Sequence, residues 1–183
     1  MTDKLFVDAR YITPPYPEYI TLHAFKATQG NDMVNSLLPI QVAGAGDYWL
    51  FHYWLYAADS KRQAKNLVDR AKAYTPLEIV LDVEDPNAAT LGATPGKVRA
   101  TLLEIEQLWG RKPILYTRAS YWNYKVGNVA WVNDYPLWIA HYEAKSPRLP
   151  NGFTGQWLAW QFRGDVKNWP GYNAGIDLNI LRN

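Results

Sequence analysis

The chain has 183 residues, of which 48% are hydrophobic and 20% charged, and its formal net charge is +2. This length and composition predict one packed domain over residues 1–183, and the near-neutral charge without a dense basic run argues against nucleic-acid binding. The sequence contains no cysteine, which excludes disulfides, thiol catalysis and cysteine-ligated metals.

Strand-like apolar runs recur along the whole chain, and several are apolar on both faces, as buried parallel strands are. Eight such runs cover residues 5–9, 19–27, 48–54, 77–83, 113–117, 137–142, 157–162 and 175–181. Helical patterns lie between some of them, at 60–74 and 95–109, with a weaker pattern in 32–45 and a short one after Thr117. Thr94 is the expected N-cap of the 95–109 helix and Gly110 its end.

The connections differ between the two ends of the chain. The first, in "RYITPPYPEY", has three prolines and cannot be helical, and those after residue 140 carry Pro, Gly and Asn without a helical period. The order favours an α/β fold of the incomplete TIM-like β/α-barrel type, with its last strands joined by loops. An open doubly wound sheet is the alternative, but "DARYITPP" is not the glycine-rich turn that such a sheet needs.

The first residues, "MTDKLFVDAR", lack the apolar core of a signal peptide, and no segment is apolar enough to span a bilayer. We therefore expect no membrane insertion. A protein of this kind that acts outside the cell that makes it would need another route of export.

Carboxylates interrupt the buried runs at particular points. In "EIVLDVEDP", residues 78–86, Asp82 and Glu84 are two apart at the end of a strand, so they project to the same face. Asp8 ends the first strand, and Asp177 lies in the eighth, which neighbours the first if the barrel closes. In a β/α barrel the carboxyl ends of the strands form the active-site rim.

Two carboxyls in a partly dry site cannot both ionise easily, so one holds a proton and the other stays anionic. Cleavage of a glycosidic bond needs this pairing of an acid and an anion. The alternatives for the Asp82–Glu84 pair are solvation at the strand end, capping of the next helix or cation binding.

Other chemistries fit less well. The histidines, His23, His52 and His141, lie in strand-like runs without the spacing of a helical zinc motif, so we expect no metal site. No Gly-x-Ser-x-Gly elbow and no phosphate loop occur, and we expect no cofactor.

Six segments together resemble the successive motifs of glycoside hydrolase family 25, the Chalaropsis-type lysozymes common among phage endolysins and bacterial autolysins. They are "FKATQG" (25–30), "LDVED" (81–85), "ILYTRASYW" (114–122), "PLWIAHY" (136–142), "AWQF" (159–162) and "IDLN" (176–179). The resemblance implies a barrel of about five β/α units followed by three strands. It also implies a muramidase that cleaves the β-1,4 bond between N-acetylmuramic acid and N-acetylglucosamine in peptidoglycan.

Carried onto this chain, the resemblance makes Glu84 the general acid and Asp82 the carboxylate that supports the substrate's own acetamido group as nucleophile. Asp177 and Asp8 match the acids of the last and first strands.

Nine tryptophans and thirteen tyrosines favour an aromatic sugar-binding groove, and a core of large rings is the alternative. The candidate sugar contacts are Tyr53, Tyr116, Trp138 and Tyr142, together with Gln161, which could bond either a sugar or a catalytic acid. Lys26 is expected to pair with one of the acids.

The chain departs from the family where a proline-rich loop replaces the usual helix after the first strand. We expect one barrel face to be thinly covered there, where self-association or a partner could be accommodated. We expect no wall-binding repeats after the barrel. The resemblance implies a protein made in the cytoplasm that acts on the cell wall after release, by phage- or holin-type export.

Two other functions remain open: a non-catalytic glycan-binding barrel of the same ancestry and a chitinase-like glycosidase.

Overall fold

A computed structural model describes residues 3–182. Its strands are β1 Lys4–Ala9, β2 Leu22–Gln29, β3 Met33–Val34, β4 Asp47–Tyr53, β5 Glu78–Asp82, β6 Ile114–Arg118, β7 Leu137–Ala140, β8 Ala159–Val166 and β9 Ile176–Leu181. Its helices are α1 Leu38–Ala43, α2 Ser60–Tyr74, α3 Thr94–Trp109 and α4 Ala119–Lys125, followed by a 3-10 turn at Ala130–Asp134.

Eight of the strands close into a barrel. β1 pairs with β2 on one side and with β9 on the other, so the sheet has no free edge within the ring β1-β2-β4-β5-β6-β7-β8-β9. Neighbours are parallel from β1 through to β8, and β9 runs antiparallel to both β8 and β1. The barrel prediction is therefore confirmed, and the open doubly wound sheet is wrong.

The connections between strands are simpler than the five units expected from the family. Four helices occur in the described chain, in the connections from β2, β4, β5 and β6, and the count of five β/α units is not confirmed. As the prolines predicted, β1 joins β2 without a helix, and loops join β7, β8 and β9.

The pattern in 32–45 produces a shorter helix than expected. Met33 and Val34 pair with β2 instead, and α1 begins only at Leu38. The Asn35 side chain accepts a hydrogen bond from the amide of Leu37 and donates one to the carbonyl of Lys26. These backbone groups are therefore satisfied without helical hydrogen bonds, which allows α1 to begin later.

Thr94 is not the N-cap of α3, contrary to expectation. It lies inside the helix, after Ala93, and its hydroxyl donates to the carbonyl of Ala89 at 2.6 Å. Gly110 ends the helix as predicted, in the left-handed conformation with φ 84°.

The barrel face expected to be thinly covered is packed. Ile12 and Ile20 of the first connection are buried in a cluster with Phe25 of β2 and Leu178 of β9. The Gln41 side chain donates to the carbonyl of Ile12 at 2.9 Å and so fixes the loop to α1. The proline-rich loop thus takes the place of the missing helix.

The helices α2 and α3 pack on the outside of the barrel and on each other. Leu102 of α3 is completely buried there, whereas the adjacent Leu103 is half exposed. Across residues 3–182 no helix is both long and apolar enough to cross a membrane.

This pair offers a matched test of the packing. We expect Leu102→Ala to lower the free energy of unfolding by about 2–5 kcal/mol, because it removes buried methyl groups and leaves a cavity. Leu103→Ala removes the same atoms from a half-exposed position and should change it by less than about 0.5 kcal/mol. Urea denaturation of both variants measures the difference, and equal losses would contradict the packing described.

Candidate active site

The four predicted acids converge at one rim of the barrel, where the parallel strands have their carboxyl ends and the antiparallel β9 has its amino end. Asp8 of β1, Asp82 at the end of β5, Glu84 just beyond it and Asp177 of β9 all line one cavity of about 370 Å³. Asp8 and Asp177 are direct register partners of the β1–β9 pair. The strand-end positions that sequence analysis singled out therefore do share one site.

Asp82 and Glu84 have different surroundings. The Asp82 side chain is buried, and its Oδ1 has no hydrogen-bond partner within residues 3–182. Glu84 is half-buried, and its Oε2 lies 3.3 Å from Nε of Arg118. Burial raises the pKa of both carboxyls; the charge of Glu84 raises that of Asp82 further, and Arg118 partly offsets the rise at Glu84.

Asp8 and Asp177 are joined by one amide. Nε2 of Gln161 donates to Oδ1 of Asp8 at 2.9 Å and to Oδ2 of Asp177 at 3.2 Å. Asn179 donates a further bond to Oδ1 of Asp8 at 2.8 Å. Burial, and then the charge of Asp177, raise the pKa of Asp8 to about 8, which favours a neutral carboxyl there.

The other end of the Gln161 amide is also occupied. Its Oε1 accepts from the hydroxyls of Tyr116 at 2.7 Å and Tyr142 at 2.8 Å. Two donors and two acceptor sites complete the capacity of a glutamine amide. Of the two roles considered for Gln161, the structure shows the bonds to acids, here Asp8 and Asp177, and this amide has no capacity left for a sugar.

The aromatic candidates occupy different depths. Tyr53, Tyr116 and Trp138 line the cavity. Tyr142 is not among its lining residues and is 43% exposed, but its hydroxyl reaches Gln161 of the cavity wall. Trp138 is almost fully buried, packs against Phe6 inside the barrel and donates from its indole to Asn179. Much of the aromatic content therefore forms the core, as the alternative to a groove proposed.

Lys26 does not form the expected ion pair with an acid. Its Nζ donates to Oε1 of Gln29 at 2.6 Å and lies 4.4 Å from the centre of the Tyr53 ring. It nevertheless lines the same cavity, where burial, together with the charge of Arg10, lowers its pKa to about 8.

Several polar residues of the site were not predicted from the sequence. Arg118 and Asn179 contact the acids directly, and Arg10 and Asp165 line the cavity. Arg118 and Asn179 lie within the motifs quoted above. Arg118 is two residues after Tyr116 and Asn179 two residues after Asp177, so the alternation of a strand places each on the same face as a predicted site residue. Arg10 and Asp165 come from loop or strand-end positions, where alternation gives no guidance.

The histidines take no part in this cavity. His23 and His52 are buried, and burial lowers the pKa of each to about 4. In the described part of the chain, no group of three or more His, Cys, Asp or Glu side chains is arranged to hold a metal ion.

Residues 18–171 match the family model described as glycosyl hydrolases family 25. The chain belongs to family 25. The resemblance found in the six motifs is thereby confirmed.

Two relatives share modest sequence identity with this chain. The protein YegX of Escherichia coli K12, described as uncharacterized, is 30% identical over 136 residues, which are 72% of this chain and 46% of YegX. The chain thus spans less than half the length of that relative. The N,O-diacetylmuramidase of Chalaropsis sp. is 27% identical over 175 residues, covering 85% of this chain and 82% of that protein.

The family 25 fold is also seen in solved structures. The bacterial lysozyme from Streptomyces coelicolor superposes with a TM-score of 0.83 at 19% identity, covering 100% of this chain and 93% of the lysozyme. At that identity the likeness establishes the shared barrel alone.

Proposed function

We propose that this protein is a peptidoglycan hydrolase, an N-acetylmuramidase that cleaves the β-1,4 bond between N-acetylmuramic acid and N-acetylglucosamine. Family 25 membership supports hydrolysis of a glycosidic bond. The observation that carries the proposal is the convergence of Asp8, Asp82, Glu84 and Asp177 on one cavity. Holding four carboxyls together, with Asp8 and Asp82 buried and the other two half-buried, is costly without a task, and glycosidases use such groups as acid and anion.

Glu84 is proposed as the general acid. Burial raises its pKa, which favours the protonated form needed to protonate the leaving oxygen. Its half-buried position on the cavity wall leaves it accessible to a glycan. Arg118 then stabilises the carboxylate that remains after the proton has been transferred.

Asp82 is proposed to support the substrate's acetamido group as nucleophile. Internal attack by the acetamido carbonyl on the anomeric carbon avoids the entropic cost of bringing in a separate nucleophile. In its ionised form, Asp82 can accept the acetamido N–H at the unpartnered Oδ1 and stabilise the cyclic cation that forms. Substrate-assisted glycosidases of this kind are recognised exceptions to the two-carboxylate mechanism.

Asp8 and Asp177 are proposed to shape the far wall of the sugar site. Asp177 is half-buried and accepts from the amide of Asp165 at 2.6 Å, so one oxygen is fixed by the backbone. The rings of Tyr53 and Tyr116 on the cavity wall suit the apolar faces of sugar rings. Trp138 packs edge-on against Tyr116 from the core, with ring centres 4.9 Å apart, and so supports this wall. Tyr142 at the rim would contact the next sugar along the strand.

The glycan strands of the bacterial wall are therefore the proposed partner. Action there after synthesis in the cytoplasm, with phage- or holin-type release, is part of the same proposal.

The test is mass analysis of digested peptidoglycan. We expect purified protein to clear a suspension of bacterial walls and to release fragments whose new reducing end is N-acetylmuramic acid. A reducing end on N-acetylglucosamine would refute the bond assignment. Binding to walls without any new reducing end would instead favour a non-catalytic barrel, and cleavage of chitin oligomers but not walls would favour a chitinase-like enzyme.

A further inference from the structure

A second cavity adjoins the acidic one and has the opposite chemical character. It has a volume of about 340 Å³ and lies at the carboxyl ends of β6 and β7. Its lining consists of Arg118, Ala119, Ser120, Ala140, His141, Tyr142 and Arg148. No acidic residue is among them, in contrast to the five carboxylates around the first cavity.

The two cavities are joined through shared contacts. Arg118 lines the second cavity and pairs with Glu84, which lines the first. Tyr142 likewise lines the second cavity and bonds to Gln161 of the first. A ligand that places a glycosidic bond at Glu84 therefore has the second cavity immediately beside it.

The polar groups of the second cavity are hydrogen-bond donors. The amide of Arg148 donates to Nδ1 of His141 at 2.9 Å, so the neutral imidazole carries its proton on Nε2 and can donate from it. The Arg148 side chain is exposed, and its guanidinium makes no hydrogen bond or ion pair within residues 3–182. Nε of Arg118 lies 3.3 Å from Oε2 of Glu84. Two guanidinium groups and an imidazole N–H form a site for a planar anion, above all a carboxylate.

The loop that carries Arg148 is held in place. The indole of Trp160 donates to the carbonyl of His141 at 2.8 Å, and the amide of Asn151 donates to the side chain of Asn123 at 2.7 Å. Pre-organised donors lose less conformational entropy when a ligand binds.

We propose that this second cavity is a subsite for a carboxylate borne by the muramyl unit, and this inference rests on the proposed function. In peptidoglycan such a carboxylate belongs to the peptide that is amide-linked to the lactyl group or, on units that carry no peptide, to the lactyl group itself. N-acetylglucosamine has neither. Arg148 is then a specificity-determining residue that distinguishes muramyl from glucosaminyl units.

Binding can be tested without catalysis, by NMR titration of the wild-type protein with three soluble probes. Muramyl dipeptide carries a peptide carboxylate, N-acetylmuramic acid a lactyl carboxylate, and N-acetylglucosamine none. We expect at least one of the first two to bind about tenfold more tightly than N-acetylglucosamine, the size expected for a hydrogen-bonded charge. The preferred probe identifies the source of the carboxylate.

Arg148→Ala should abolish that preference, and Lys145→Ala is the matched control. Lys145 is an exposed lysine on the same loop that does not line the cavity, and its removal changes the net charge equally. On walls, Arg148→Ala should raise KM about tenfold with little change in kcat, because it removes ground-state binding. The inference is overturned if Arg148→Ala retains the wild-type preference, or if Lys145→Ala loses it to the same extent.

These readouts separate the two proposals. Wild-type protein that prefers the carboxylate probes yet never cleaves walls would refute the muramidase and leave the subsite standing. Cleavage that Arg148→Ala does not affect, with no probe preference, would refute the subsite alone.

Discussion

Glu84→Gln is expected to reduce wall hydrolysis by about 10²- to 10⁴-fold, the usual contribution of a general acid. Glutamine matches glutamate in shape but cannot supply the proton for the leaving oxygen. Because the side chain is only half-buried and its carbonyl can still face Arg118, we expect the melting temperature to stay close to that of the wild type. Release of reducing sugar from walls, followed over time, gives the measurement.

Glu18→Gln is the control, since it makes the same chemical change on the exposed first loop. It should leave both activity and melting temperature unchanged. Full activity in Glu84→Gln would remove Glu84 as the acid, and a folded variant with unchanged pH dependence would point to another proton donor.

Asp82→Asn is expected to have two opposite effects: lower activity and higher stability. Removing the anion that supports the acetamido group should cost about 10²- to 10³-fold in kcat, as the loss of one electrostatic contact to a transition state does. The wild-type carboxyl is buried with Oδ1 unpartnered and lies beside Glu84, so its ionisation disfavours the folded state. We expect a gain of about 0.5–2 kcal/mol, the size that single stabilising substitutions commonly give.

The pH dependence gives this prediction its sign. Burial, and then the charge of Glu84, raise the folded-state pKa of Asp82 well above its ordinary value of 3.8. Below pH 3.8 the carboxyl is neutral in both states, so the variant should have no advantage. Above that pH the unfolded state ionises first and wild-type stability falls, so the advantage of Asp82→Asn should grow as pH rises.

Thermal melts between pH 3 and pH 8 measure this difference. Asp32→Asn, at an exposed site, should show no such trend. An Asp82→Asn variant that is less stable than wild type at pH 7 would mean that the carboxylate makes a stabilising contact in the folded protein.

The sequence was most informative where side chains alternate along buried strands. Asp8, Asp82 and Asp177 stood out because each interrupts an apolar run, and closure of the ring brings those strand ends to one rim. For Gln161 the sequence left open whether the side chain bonds a sugar or an acid. Its four hydrogen-bond partners come from four different strands or loops, so their positions depend on the folded structure. Its bonds to two acids and two tyrosines could not be read from spacing.

Predictions from the sequence were wrong where a side chain forms a hydrogen bond with the backbone, or where packing in the core determines the position of a ring. Asn35 shortened α1, and Thr94 turned its hydroxyl to a preceding carbonyl instead of capping α3. Trp138 looked like a groove residue because it shares a face with Tyr142, yet it lies deeper in the barrel, against Phe6. Arg148 could not be predicted from the sequence, since its position beside Arg118 in the second cavity depends on the path of a long irregular loop.

The antiparallel last strand has a practical consequence. Lys4 at the start of β1 lies opposite Leu181 at the end of β9, while Asp8 and Asp177 pair further along, toward the acidic cavity. Both ends of the described fold therefore emerge side by side at the base. A resin, an affinity tag or a fused module tethered at either terminus would leave the opposite pole unobstructed, so immobilised protein should retain access to a large insoluble polymer.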